Sequence, residues 1–252
     1  MDDPLELLAI VVTGFVAGFV NTVAGGGSLL TLPALMLAGL PADVANGTNR
    51  VGVVLQSASG LVGFRRAGRL SLASLPALSL PTVLGAALGA WLAADVLPRH
   101  LVEPALMAAL VVVALAMLFA PPQEGGDAAE ARSLRERPGA ALGLFVAGLY
   151  GGFVQAGVGF VLLAVLGRGL RLDLVRANAL KVGLVLLFGL VALGIFVAKD
   201  QVAWGPGLLL AGATVLGAQA GVRFAIEVPA RVLKRIVVAC ALASCAAVVL
   251  RG

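Results

Sequence analysis

Charge is what this sequence has least of. Only 12% of its 252 residues are Asp, Glu, Lys or Arg, against about 25% in an ordinary soluble domain. Aromatic residues make up 5%, and there are one histidine and two cysteines. Each shortage excludes something. His100 alone builds no metal site, and no cysteine or second histidine stands near it. Cys240 and Cys245 share the last apolar run, lie on different faces of a helix, and read as small apolar fillers. The first residues are acidic (Asp2, Asp3, Glu6), so no basic leader of a secretory signal peptide is expected. No acid falls in the middle of an apolar run: Glu6, Asp95, Glu103, Asp173, Asp200 and Glu227 all stand near ends. A carboxylate proton relay is therefore not visible. Neither is a Ser/His/Asp set or a carboxylate pair, so the chain reads as a non-enzyme without a cofactor.

What is abundant is apolar surface. Hydrophobic residues account for 60% of the chain and the mean hydropathy is +1.05. A water-soluble globule of this size cannot hide so much, so the expected solvent is a lipid bilayer. The formal charge of +5 is then a topology signal rather than a nucleic-acid footprint.

Apolar runs fall at about 5–39, 44–64, 70–94, 101–120, 140–167, 174–198, 202–222 and 232–250. One hydrophilic stretch, 121–139, divides them and reads as an exposed cytoplasmic linker between transmembrane halves 1–120 and 140–252. The halves match in order. Phe15-Val16-Ala17-Gly18 recurs as Phe145-Val146-Ala147-Gly148, and Ala24-Gly25-Gly26-Gly27 as Ala156-Gly157-Val158-Gly159. Arg50-Val51-Gly52 recurs as Lys181-Val182-Gly183, and Leu88-Gly89-Ala90 as Leu216-Gly217-Ala218. The offset stays near 130 throughout, which points to duplication, a hallmark of secondary transporters.

The expected fold is an all-α, polytopic integral membrane protein of two inverted repeats, each with four hydrophobic elements, about eight in total. The first run is too long for one crossing: as a single helix it would measure about 50 Å against a bilayer core of about 30 Å. Gly25-Gly26-Gly27 interrupts it, as Gly157 and Gly159 interrupt its counterpart, so each first element is expected to be a broken or re-entrant helix. With both elements re-entrant, thirteen basic residues collect on one side, from Arg65 to Arg235, against Arg99, Lys199 and Arg251 opposite. With single crossings the same residues split eight to eight. The bias of basic loops toward the cytoplasm favours the inverted arrangement, with both termini outside.

The polar residues inside the apolar runs are the candidate site. Asn46, Thr48, Asn49 and Arg50 open one run, and Asn178 and Lys181 open its counterpart. Two readings of the cations compete. Each snorkels or pairs with its nearby acid, Asp43 or Asp173, or both point inward and attract an anion, with the amides donating hydrogen bonds to it. The breaks add backbone N–H groups at the start of their second half-helices, where anions are favoured. Ser28 is a good N-cap there. Asn21, Thr22 and Gln155 flank the breaks; Gln56, Gln155 and Gln219 are weaker candidates, which interhelical hydrogen bonding explains about as well. The paired glycines Gly14/Gly18, Gly85/Gly89 and Gly217/Gly221 read as close helix packing.

The stretch from Ala17 to Leu35, Gly39-Leu40-Pro41, and Ala45-Asn46-Gly47-Thr48-Asn49-Arg50 together resemble the signature of the TauE/SafE sulfite-exporter family, also called TSUP permeases. The second motif is degenerate: Gly157-Val158-Gly159 replaces a fuller glycine cluster, and the counterpart of Pro33 is missing. The resemblance implies a multi-pass protein of the cytoplasmic membrane that moves sulfite, a sulfonate or another organosulfur anion. The expectation is alternating access, with the anion held at Asn21, Gly25, Gly26, Gly27, Ser28, Asn46, Thr48, Asn49, Arg50, Gln155, Gly157, Gly159, Asn178 and Lys181. A passive anion channel is the alternative, and a membrane-embedded enzyme or assembly factor a more distant one. The expected partners are a small anion and the lipid bilayer, with no nucleic acid; a homo-oligomer is compatible with the sequence and not specified by it.

Overall fold

The computed structural model describes residues 4–23, 26–66, 74–119 and 132–224. Gly25, both cysteines, the last apolar run and most of the hydrophilic stretch lie outside the described residues. Among those described, all regular structure is helical: α1 (Pro4–Val23), α2 (Ser28–Leu37), α3 (Ala42–Arg66), α4 (Leu75–Trp91), α5 (Arg99–Phe119), α6 (Pro138–Phe153), α7 (Val158–Ala164), α8 (Leu174–Ala198) and α9 (Trp204–Phe224). One π-helical turn extends α4 (Leu92–Val96) and another extends α7 (Val165–Gly169).

Four segments are long and apolar enough to cross a bilayer: Leu75–Val96, Arg99–Ala116, Val175–Ala198 and Trp204–Val222. α3 is as long as α8, 25 residues each, but its polar load keeps it less apolar than these four. Asn46, Thr48, Asn49, Arg50, Gln56 and Ser57 are all buried, while Leu55 and Val62 on the same helix are 43% and 46% exposed. Polar groups inside and apolar groups outside are the pattern expected where lipid is the solvent.

Both first elements are broken and fold back. A Cβ on Gly27 would lie 2.2 Å from the Ala17 carbonyl oxygen, although ten residues of straight helix would separate the two by about 15 Å. The chain has therefore reversed between α1 and α2, and at this contact only glycine fits. The second break works the same way. A Cβ on Gly151 would meet Val158 at 3.0 Å, and the Tyr150 hydroxyl donates to the Ala156 carbonyl at 2.6 Å. Gln155 and Gly157 turn this corner with φ of 70° and 72°; the left-handed region is costly for a residue with a side chain, and Gln155 accepts it.

Packing repeats with the same internal offset. α1 lies along α9 as α6 lies along α4; α3 lies along α9 as α8 lies along α4; α3 and α8 meet each other. The close approaches are built from the paired glycines. A Cβ on Gly18 would sit 2.1 Å from the Thr214 carbonyl oxygen, and one on Gly148 would sit 2.0 Å from that of Thr82. Gly85 and Gly89 press on the Phe145 and Leu149 carbonyls, and Gly217 on that of Phe15. Between helices in lipid, close backbone approach supplies the van der Waals attraction that water would otherwise supply through burial. Gly148→Ala is expected to force α4 and α6 apart, at a cost of about 1–3 kcal/mol or more. Gly212→Ala, which meets nothing within 4 Å, is expected to be neutral; thermal unfolding in detergent compares the two.

Candidate functional site

Arg50 and Lys181 begin as equivalent positions, each about two turns into a 25-residue helix. Both are fully withdrawn from the surface, at 0% and 2% exposure, so neither snorkels. Neither pairs with its nearby acid. Asp43 faces Arg99 at 3.8 Å, and Asp173 caps α8 by accepting from the Arg176 backbone N–H at 2.9 Å.

Each cation instead reaches across to the helix break of the opposite half. Arg50 Nη1 donates to the Gly151 carbonyl at 3.1 Å and to Gln155 Oε1 at 2.9 Å. Its Nη2 donates to the Gly152 carbonyl and stands 3.5 Å from Asn46 Oδ1. The guanidinium carbon lies 4.5 Å above the Phe196 ring, a favourable site for a desolvated cation. Arg50 thus saturates the end of α6, where a broken helix leaves carbonyls exposed and its dipole is negative. Asn46 ties the same end, its amide donating to the Phe153 carbonyl at 2.8 Å.

Lys181 does the corresponding thing at the end of α1, donating to the Asn21 carbonyl at 3.0 Å. Asn21 and Gly151 are themselves 130 residues apart, so the two cations address equivalent carbonyls. The likeness stops there. Arg50 spends its terminal nitrogens on protein acceptors, whereas Lys181 lines a small cavity of about 10 Å³ together with Asn21, Thr22, Gln56, Ser57, Val182 and Val185.

The remaining candidates divide between these clusters and other places. Thr48 serves neither: its hydroxyl accepts from the Ala203 backbone N–H at 2.9 Å. Asn49 Oδ1 accepts from the Thr31 hydroxyl, joining α3 to α2. Three buried donors, Asn49 Nδ2, Arg50 Nε and Gln155 Nε2, have no hydrogen-bond partner among the described residues. Asn178 is buried on α8, one turn before Lys181. Ser28 does not cap α2; Gly27 holds the N-cap place, and no side chain bonds there. The physical reason is that Gly27 is itself helical (φ −57°, ψ −39°), whereas a capping side chain needs an extended backbone beneath it. Gly26 lies in the first break; Gly157 caps α7, and Gly159 is buried within it.

Sequence reading overlooked Ser57, Thr31 and Phe196. Ser57 stands two helical turns beyond Arg50 on the same helix, a spacing that places it on the same face. Phe196 carried no signal beyond being one of ten phenylalanines.

Broken helices packed on glycines, with two buried cations and an inward-facing polar helix, fit a helical membrane protein. The particular family is shown by comparison: a family model described as "Sulfite exporter TauE/SafE" matches residues 10–248, and the chain belongs to that family. It is 30% identical over 244 residues to the "Probable membrane transporter protein ORF9" of Sinorhizobium sp, covering 94% of this chain and 90% of the relative. A "Probable membrane transporter protein" of Haemophilus influenzae is 29% identical, with 88% and 87% covered. The "Probable membrane transporter protein YfcA" of Escherichia coli is 28% identical, with 94% and 87% covered.

Proposed function

We propose that this protein carries a small oxyanion, sulfite or a related sulfur oxyanion, across the cytoplasmic membrane by alternating access between two inverted repeats. The observation that carries the reading is the pair of buried cations, neither facing a carboxylate among the described residues. A buried cation without an acid is costly unless something negative visits it or helix carbonyls hold it. Arg50 has the second solution at both terminal nitrogens; Lys181 has one carbonyl and a cavity.

The matched packing of α1 on α9 and α6 on α4 supports the repeat. So does the exchange of cations between halves, because the two halves cannot move relative to one another without remaking these bonds. At about 10 Å³ the cavity has room for about one water, so an anion enters in a wider conformation than this one. Alternation between such conformations is what a carrier requires.

Uptake of radiolabelled sulfite into proteoliposomes under nitrogen tests the reading. Uptake is expected to saturate with sulfite concentration and to be competed by related sulfur oxyanions. Uptake no faster than into protein-free liposomes overturns the reading.

A further inference from the structure

Four features of the Lys181 cavity go beyond the presence of a cation. An ammonium carries three N–H donors, and Lys181 spends one, on the Asn21 carbonyl. Gln56 and Ser57, on α3, line the same cavity and are each 4% exposed. No hydrogen bond to another described residue engages the Gln56 amide or the Ser57 hydroxyl. Thr22 lines it too, but its hydroxyl donates to the Gly18 carbonyl at 2.9 Å, so its proton is already committed. The lining thus leaves two ammonium donors, the Gln56 amide and the Ser57 hydroxyl unspent, with no carboxylate among the lining residues.

We propose that the anion binds at one place in the protein, between Lys181 on α8 and Gln56 and Ser57 on α3, and that Arg50 is not a ligand but the latch of the opposite break. This rests on the anion-carrier reading above and names its binding site. The donor set suits a compact anion with several oxygens. Lys181 supplies the charge, and the Gln56 amide and Ser57 hydroxyl each supply a hydrogen bond to a different oxygen. Charge-assisted bonds of this kind are roughly twice as strong as neutral ones. A halide, with no separate oxygens to bridge these groups, gains less from the arrangement.

The duplication explains how one half came to bind and the other to lock. Arg50 and Lys181 address equivalent carbonyls, Gly151 and Asn21. The planar fork of arginine reaches two further acceptors at once, Gly152 and Gln155. A lysine at the same position is a single point charge with donors to spare. The residue type therefore decides the role. The corner at Gln155, held at φ 70°, is the shape that brings its side-chain oxygen to Arg50.

Thermal unfolding of the purified protein, with sodium sulfite titrated under nitrogen against sodium chloride at matched ionic strength, tests the site. Sulfite is expected to raise the Tm of the wild type in a saturable way, because a ligand of the folded state stabilises it. Gln56→Ala and Ser57→Ala are each expected to raise the half-saturating sulfite concentration about 10-fold, with the sulfite-free Tm unchanged. Lys181→Gln is expected to raise it about 100-fold. If Gln56→Ala and Ser57→Ala both respond to sulfite as the wild type does, the site is not here, and the carrier reading survives without it. If neither sulfite, sulfate nor an alkylsulfonate shifts the wild-type Tm, the carrier reading and the site fall together.

Discussion

Arg50→Ala lowers the folding stability of the protein by on the order of 3 kcal/mol, and loss of transport follows from loss of structure. The side chain holds the carbonyls of Gly151 and Gly152 and the Gln155 amide oxygen, and all three residues are buried. Each acceptor left bare in such a place costs about 1–3 kcal/mol. Release from the cost of burying a guanidinium offsets part of that sum. Arg50→Lys is expected to rescue only partly, because an ammonium cannot reproduce the fork that spans the end of α6. Thermal unfolding followed by size-exclusion chromatography in detergent reads both variants. An Arg50→Ala protein as stable as the wild type would remove the latch from the account.

Lys181→Gln produces the opposite combination. It keeps a polar head of similar reach, so the bond to the Asn21 carbonyl is retained and the folded protein is expected in normal yield. It removes the positive charge from the cavity. A hydrogen bond to a charged group contributes about 1.5–3 kcal/mol, so the rate of sulfite transport at low concentration is expected to fall about 100-fold. Symmetric ligands would give two stable, inactive proteins; a latch and a ligand give one unstable protein and one stable, inactive protein.

Much of this arrangement was legible in the residues. Gly25-Gly26-Gly27 announced the first break because three consecutive glycines interrupt a helix in a way no packing stripe requires, and the match of Gly157 and Gly159 to that run pointed to the second. Spacings of four between glycines announced the close helix contacts, and Gly18, Gly85, Gly89 and Gly217 all press on backbone. The equivalence of Arg50 and Lys181 was legible from the offset alone. Their destinations were not. Asp43 and Asp173 were the nearest partners along the chain, and the actual partners lie 101 and 160 residues away. Three of the bonds at Arg50 and Lys181 go to backbone carbonyls, which every residue possesses and no sequence pattern marks. The capping role expected of Ser28 failed for a related reason, since it depends on the backbone angles of the preceding glycine rather than on the hydroxyl.

Ser57 illustrates a further limit. A single hydroxyl among apolar residues in a membrane helix usually bonds back to its own helix and carries no signal of its own. It becomes informative only once Lys181 and Gln56 are seen on the same cavity.

Counterflow tests the central claim most directly. Proteoliposomes loaded with unlabelled sulfite are diluted into a trace of labelled sulfite, under nitrogen and with no membrane potential. A carrier that exposes one anion site alternately to each side predicts a transient accumulation of label above equilibrium, present in the wild type and lost in Lys181→Gln. Label that rises only to equilibrium, with no overshoot in the wild type, or an overshoot that Lys181→Gln leaves intact, would contradict it.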